Sequence, residues 1–402
     1  MKLVNYIKEH WDDTVRLERV GNDKLIGLPY EYFVPSVKGM FQEVYYWDTF
    51  FTAKGLFLCG REALVKSTVE NMFYLLDKFG YMPNGSNVSL LGRSQPPFLS
   101  GMVRDLYEVY KDKVWLSMAY NMLTKEYDFW MTRRITPTGL NRHGYNMENG
   151  NIKGFADMIR ERLHGLDLSD RSDEDIVENF MADAESGWDF NPRCEYYQTE
   201  CNFIDLNSIL YTMECNMAFF AAELENGEET FWKDRADWRS YRIRTTMFDG
   251  ETFRDRNFVK DTFSPVFSCA SFYPLWAKIA TPEEAASTVK LLPLIEMEYG
   301  LAVCQPIERE VKFQWDYPNG WAPLHYIVVH ALDNYGYKED AVRIATKYVR
   351  AIEKIFEETG TLWEKYNVTD GSIKVTDEYE MPEMLGWTSG IYLDLKRYIN
   401  EW

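Results

Sequence analysis

Residues 320–358 read GWAPLHYIVVHALDNYGYKEDAVRIATKYVRAIEKIFEE. Two helices meet there at the turn Asn334-Tyr335-Gly336, where glycine can take the left-handed backbone that follows a helix. In the second helix Ala341, Ile344, Ala345, Tyr348 and Ile352 recur at the spacing of one buried face. The same spacing appears on either side of this stretch. Val69, Met72, Phe73 and Leu76 form one stripe, and Leu116, Ala119, Tyr120, Leu123 and Tyr127 another. Leu206, Ile209, Leu210, Met213 and Met217 form a third. Read this way the chain holds roughly twelve helical segments. They fall at 44–59, 61–79, 98–111, 113–131, 172–183, 203–223, 228–244, 267–278, 282–297, 320–333, 336–358 and 383–400.

Tight turns alternate with long polar connectors rich in Gly, Pro and Asn, at 80–97, 137–171, 184–202, 245–266, 300–320 and 359–382. Alternation of this kind predicts an all-α toroid of about six helix hairpins, with the long loops gathered on one face to build a site. No Pro/Ser-rich linker interrupts the pattern, so residues 1–402 read as a single domain. The highly charged stretch 137–183 is a candidate lid insertion.

With 46% hydrophobic and 16% aromatic residues the chain can fill a large core, and its net charge is −19. A phosphate backbone or an anionic membrane surface would be repelled, so neither is an expected partner. The six Cys and five His show neither CxxC nor HExxH spacing, so no metal and no cofactor is expected. The N-terminus, MKLVNYIKEHWDD, turns charged before any apolar run of signal length. That reading predicts a cytoplasmic protein with free thiols.

The long loops and their edges are dense in Trp, Asp, Arg, Asn and Gln, and three of them carry Trp-Asp pairs: Trp47-Asp48, Trp188-Asp189 and Trp315-Asp316. An indole can stack on a sugar ring while the neighbouring carboxylate bonds its hydroxyls or works on the glycosidic bond. An aromatic wall also raises a carboxyl's proton affinity by desolvation, as a general acid requires.

Here a resemblance emerges. QWDYPNGWAP at 314–323 resembles the signature of the trehalase family, and FQEVYYWDTFF at 41–51 resembles its first signature. PNGSNVSLLGRSQPP at 83–97, ESGWDFNPR at 185–193, WEKYNV at 363–368 and EYEMPEMLGWTSG at 378–390 are similar to further family segments, in the same order. The resemblance implies an (α/α)6 barrel and an inverting, two-carboxylate mechanism on an α-glucosidic bond, in trehalose or a related glucoside. It implies Asp189 as general acid and Glu364 as general base, with Glu378 as the rival base. It implies substrate-binding positions at Phe41, Trp47, Asp48, Asn84, Arg93, Gln95, Gly187, Trp188, Arg193, Gln314, Trp315, Trp321 and Glu378. Two alternatives stay open from the residues themselves: Arg193 and Asp48 could pair with each other, and Trp315 could belong to the core. Asp205 and Asn207 read as helix-capping or buttressing residues.

The chain departs from the family pattern on the leaving-group side. Met40 stands where the first signature carries a substrate-binding arginine, and no Arg-Pro-Glu-Ser segment precedes the acid loop; Arg160 and Glu161 are the nearest stand-ins. A site built for hydroxyls discriminates through them, so a modified glucoside or a mannoside remains an alternative substrate. A carbohydrate binder without turnover is a further alternative, which retention of both carboxylates argues against.

Overall fold

In a computed structural model the chain is described over residues 2–146, 152–163, 165–311, 313–375, 380–383 and 385–402. Its helices are α1 (Lys2–His10), α2 (Tyr46–Leu58), α3 (Glu62–Phe79), α4 (Leu99–Tyr110), α5 (Lys113–Arg133), α6 (Ile152–Arg162) and α7 (Asp173–Glu185). They continue with α8 (Ile204–Leu224), α9 (Glu229–Thr246), α10 (Tyr273–Trp276), α11 (Pro282–Val289), α12 (Ala322–Asn334), α13 (Lys338–Thr359) and α14 (Gly386–Tyr398). Strands are two or three residues long and occur between helices.

Helices α2, α4, α8, α10, α12 and α14 touch in that order, and α14 returns to α2, closing an inner ring. Most of these helices are buried nearly all round, as α2, α8, α12 and α14 show, because neighbours cover them on every side. By contrast α13 buries one stripe, from Ala341 to Phe356, and belongs to the outer layer. Closure depends on two glycines. A Cβ on Gly390 would lie 2.3 Å from the Phe51 carbonyl oxygen, and one on Gly55 would lie 2.7 Å from the Gly390 Cα. Only residues without side chains let α2 and α14 approach so closely. The architecture is the expected (α/α)6 barrel.

Several boundaries differ from the sequence reading. The helix expected over 267–278 is a 3₁₀ turn, Cys269–Phe272, followed by the one-turn α10. That expected over 282–297 stops at Val289, ahead of Pro293, which cannot donate to a helical ladder. Two helices were not anticipated. Short α1 buries only Leu3, Val4 and Ile7, and charged α6 buries only Ala156 and Ile159. Helices α6 and α7 pack together inside the 137–183 stretch around their own small core, which includes Ile159, Leu163, Val177 and Phe180.

Candidate active site

The N-terminal ends of the inner helices, with the loops before them, supply the walls of one cavity. Tyr45, Trp47 and Asp48 come from the start of α2, and Arg93 and Gln95 from the loop before α4. Gly187 and Asp189 follow α7, Gln314, Trp315 and Trp321 precede α12, and Glu364 and Trp387 flank the start of α14. Phe41, Asn84 and Leu90 complete it. The cavity encloses about 180 Å³. A cavity of roughly 150 Å³ holds a benzene molecule, so this one is on the scale of a single six-membered ring.

Tryptophans make one wall. Trp315 and Trp321 stack at 3.8 Å and 6°, Trp188 lies behind Trp315 at 5.6 Å, and Trp47 leans on Trp315 at 5.5 Å. Gly187 has φ +78°, and a Cβ there would meet the Trp47 ring at 2.7 Å, so this position needs glycine on two counts.

Three carboxylates share the cavity. Burial pushes the Asp189 carboxyl up to about 7, against the pull of the Arg93 guanidinium and with the Glu364 charge adding to the rise. Burial, followed by the Glu364 charge, pushes Asp48 well above the usual carboxylate range. Glu364 is 2% exposed, and the ammonium of Lys365 donates to its Oε2 at 2.8 Å. Polar groups without partners among the described residues also line the cavity: Arg93 Nε, Gln314 Oε1 and Trp321 Nε1. Buried polar atoms are nearly always paired, so such a set fits a ligand rich in hydroxyls.

The Asp189 loop is held from behind. Asn191 Nδ2 donates to Asp183 Oδ1 at 2.5 Å and to the Trp188 carbonyl at 2.9 Å, and Gln314 Nε2 donates to the Asp189 carbonyl at 2.6 Å. Glu185 joins three segments: it accepts from Arg134 Nε and Nη2 at 2.7 and 2.6 Å, from the Gly144 amide at 3.0 Å and from the Ser94 amide at 3.0 Å. Burial alone would raise Glu185, but Arg134 overrides it and holds the carboxyl down at about 2.

Not every predicted residue reaches the cavity. Arg193 is fully buried behind Trp188, with its guanidinium 4.4 Å from that ring. Its donors are committed to Asp255 (2.8 and 2.7 Å) and Asp205 (2.7 and 3.0 Å), so it binds neither a sugar nor Asp48. Trp188 supports Trp315 rather than lining the cavity. Asp205 also accepts from the Leu206 amide at 2.9 Å, and Asn207 joins Asn141 to Arg239, both as buttresses. The third Trp-Asp carboxylate, Asp316, ties down its own loop through Arg309 and Cys304. Glu378 and Tyr379 lie outside the described residues. Three lining residues were not singled out. All three sat inside the family-like segments at 41–51, 83–97 and 378–390.

On the leaving-group side the stand-ins point elsewhere. Arg160 pairs with Asp157 and Asp173, Glu161 is exposed, and Met40 is 42% exposed.

Fold and site together define a glycoside hydrolase. The model of the Trehalase family matches residues 1–400, and the chain belongs to that family. It is 30% identical to the periplasmic trehalase of Xanthomonas axonopodis pv. citri, over 97% of this chain and 72% of that protein. It is likewise 30% identical to the periplasmic trehalase of Xanthomonas campestris pv. campestris, with the same coverage. Among solved structures it is similar to a neutral trehalase from Saccharomyces cerevisiae, with TM-score 0.79 and 27% identity over 98% of this chain and 80% of that one. A mannosylglycerate hydrolase from Thermus thermophilus shares the fold, with TM-score 0.67 and 15% identity over 98% and 99% of the two chains. The Xanthomonas relatives overturn the cytoplasmic location expected from the N-terminus, since they are periplasmic enzymes and point to the periplasm. All six cysteines are free.

Proposed function

We propose that the chain hydrolyses trehalose with inversion, Asp189 acting as general acid and Glu364 as general base. One observation carries this reading. Two carboxylates 175 residues apart in sequence face the same ring-sized, tryptophan-walled cavity. With one glucosyl ring held there, water attacks the anomeric carbon from the Glu364 side as Glu364 takes its proton. The bond from that carbon to the bridging oxygen breaks, and the Asp189 proton moves to that oxygen. Arg93, Gln95, Asn84 and Gln314 supply planar donors and acceptors to ring hydroxyls. Asp48, with its raised proton affinity, can donate as well as accept.

The products distinguish inversion from retention. Attack on one side of an α,α-linked disaccharide releases one β-glucose and one α-glucose. Proton NMR in the first minutes of turnover is expected to show the two anomers in equal amounts before mutarotation. A burst of α-glucose alone would mean retention and remove Glu364 from the role of base.

The exposed Met40 favours a second reading, in which the leaving-group pocket is adapted to something other than glucose. A thioether cannot donate to a hydroxyl, and a hydrogen bond to a charged group contributes about 1.5–3 kcal/mol. Met40→Arg is therefore expected to raise kcat/KM on trehalose by about tenfold or more relative to other glucosides. A wild-type enzyme already selective for trehalose, and unimproved by Met40→Arg, would reject the adapted pocket.

A further inference from the structure

The cavity holds three carboxylates but needs one of them charged and another protonated. Like charges at close range resist joint ionisation, and nothing in their residue types says which one keeps the charge. The structure breaks the tie beside Glu364. Lys365 is 1% exposed, and its Nζ donates to Glu364 Oε2 at 2.8 Å. The ammonium also lies 4.9 Å from the centre of the Trp321 ring. The backbone sets this placement. Residues Asn319–Trp321 and Lys365–Asn367 form an antiparallel ladder in which Lys365 pairs with Trp321. The Trp387 indole donates to the Glu364 carbonyl at 3.2 Å and fixes the strand from the other side.

We propose that Lys365 is a positioning residue that fixes the negative charge of the carboxylate trio on Glu364, making it the base in preference to Asp48 and Asp189. The inference rests on the reading of Glu364 as general base. A cation in contact with one oxygen favours the ionised carboxylate and holds its plane, and the face of Trp321 keeps that cation from swinging to either aspartate. Among the described residues, the charged or titratable groups facing the pair are Asp48 from α2 and Asp189 from the loop after α7. Arg93, before α4, faces Asp189, while α14 contributes the uncharged Trp387. Tyr366, next on the strand, turns its hydroxyl away to the Tyr299 carbonyl and His325. Charge is thus distributed by position: a cation in contact with Glu364, and the guanidinium of Arg93 acting on Asp189.

The test uses α-D-glucosyl fluoride, whose leaving group needs no proton, so the acid side of its pH–rate profile reports the base alone. Lys365→Met and Lys365→Gln are expected to move that acid limb upward by about one pH unit or more, with the plateau rate largely kept. At the wild-type midpoint this is a loss of about fivefold or more. Lys365→Arg, which keeps a cation, is expected to leave the limb in place even where kcat falls. Rates lowered by one factor at every pH, with the limb unmoved, would overturn the proposal and leave Lys365 a structural role. So would an Arg limb displaced as far as the Met or Gln limb, and this comparison stands if only one neutral variant folds. Should neither fold, a displaced Arg limb alone overturns the proposal and a retained one supports it. Glu364→Gln separates the two readings: near-normal turnover there refutes Glu364 as base, whereas an inactive Glu364→Gln with an unmoved limb refutes only the role of Lys365.

Discussion

Asp189→Asn and Glu364→Gln are each expected to lower turnover of trehalose by about 10²–10⁴-fold, the range a positioned acid or base contributes, while far-UV circular dichroism stays that of the wild type. Neither substitution changes side-chain size appreciably, and both positions sit at the cavity rather than between helices, so the loss should appear in kcat. The pH profile gives the second half of the result. In the proposed mechanism Asp189 carries the proton that passes to the leaving oxygen, and its carboxyl is pushed up to about 7. Activity on trehalose should therefore fall as pH rises through about 7, and Asp189→Asn should remove that alkaline limb along with most of the rate. A Glu364→Gln enzyme with near-normal turnover, beside an inactive Glu378→Gln, would transfer the base role to Glu378.

The largest effect on stability is expected at Arg193. Its guanidinium sits between two carboxylates that are themselves buried, Asp205 at 2% and Asp255 at 3% exposed. Removing the cation leaves two uncompensated anions and forfeits the contact with Trp188. Breaking a buried ion pair from one side costs about 3–5 kcal/mol. Arg193→Met is expected to lose stability of that order, read from the denaturant midpoint at unchanged slope. A substrate-binding arginine would behave differently, with KM rising and stability unaltered. That outcome would contradict the geometry.

The two sets of residues show what a linear chain reveals. Inner-ring helices such as α8 and α12 were legible because each carries a long apolar run with helical spacing. Asp189 and Glu364 were legible because each lies in an unusual string of aromatic and polar residues. The same strings misled at Arg193 and Trp188, whose composition looks like a sugar site although their partners face away from it. No local pattern tells which side of a loop points into a cavity when both sides carry charge and rings. Helix α6 was missed because it buries little of itself, and α10 was drawn too long because its apolar neighbourhood suggested more than the single turn the backbone makes. Leu90 lines the cavity from a 3₁₀ turn inside the 83–97 string, where its apolar type did not set it apart from a core leucine. The compartment expected from the first residues is overturned by relatives that are periplasmic enzymes.

The small core around α6 and α7 also contains Phe190 and Phe313. These residues immediately follow Asp189 and precede Gln314, whose amide holds the Asp189 carbonyl. Phe190 stacks on Phe180 of α7 at 4.1 Å, so the two helices grip the Asp189 loop. The two helices are thus a graft whose root is that loop. Exchanging them for the corresponding segment of a relative would preserve the loop only if Phe190 and Phe313 were exchanged with them. Transplanted without those two rings, the new segment would leave the Asp189 loop unsupported on that side.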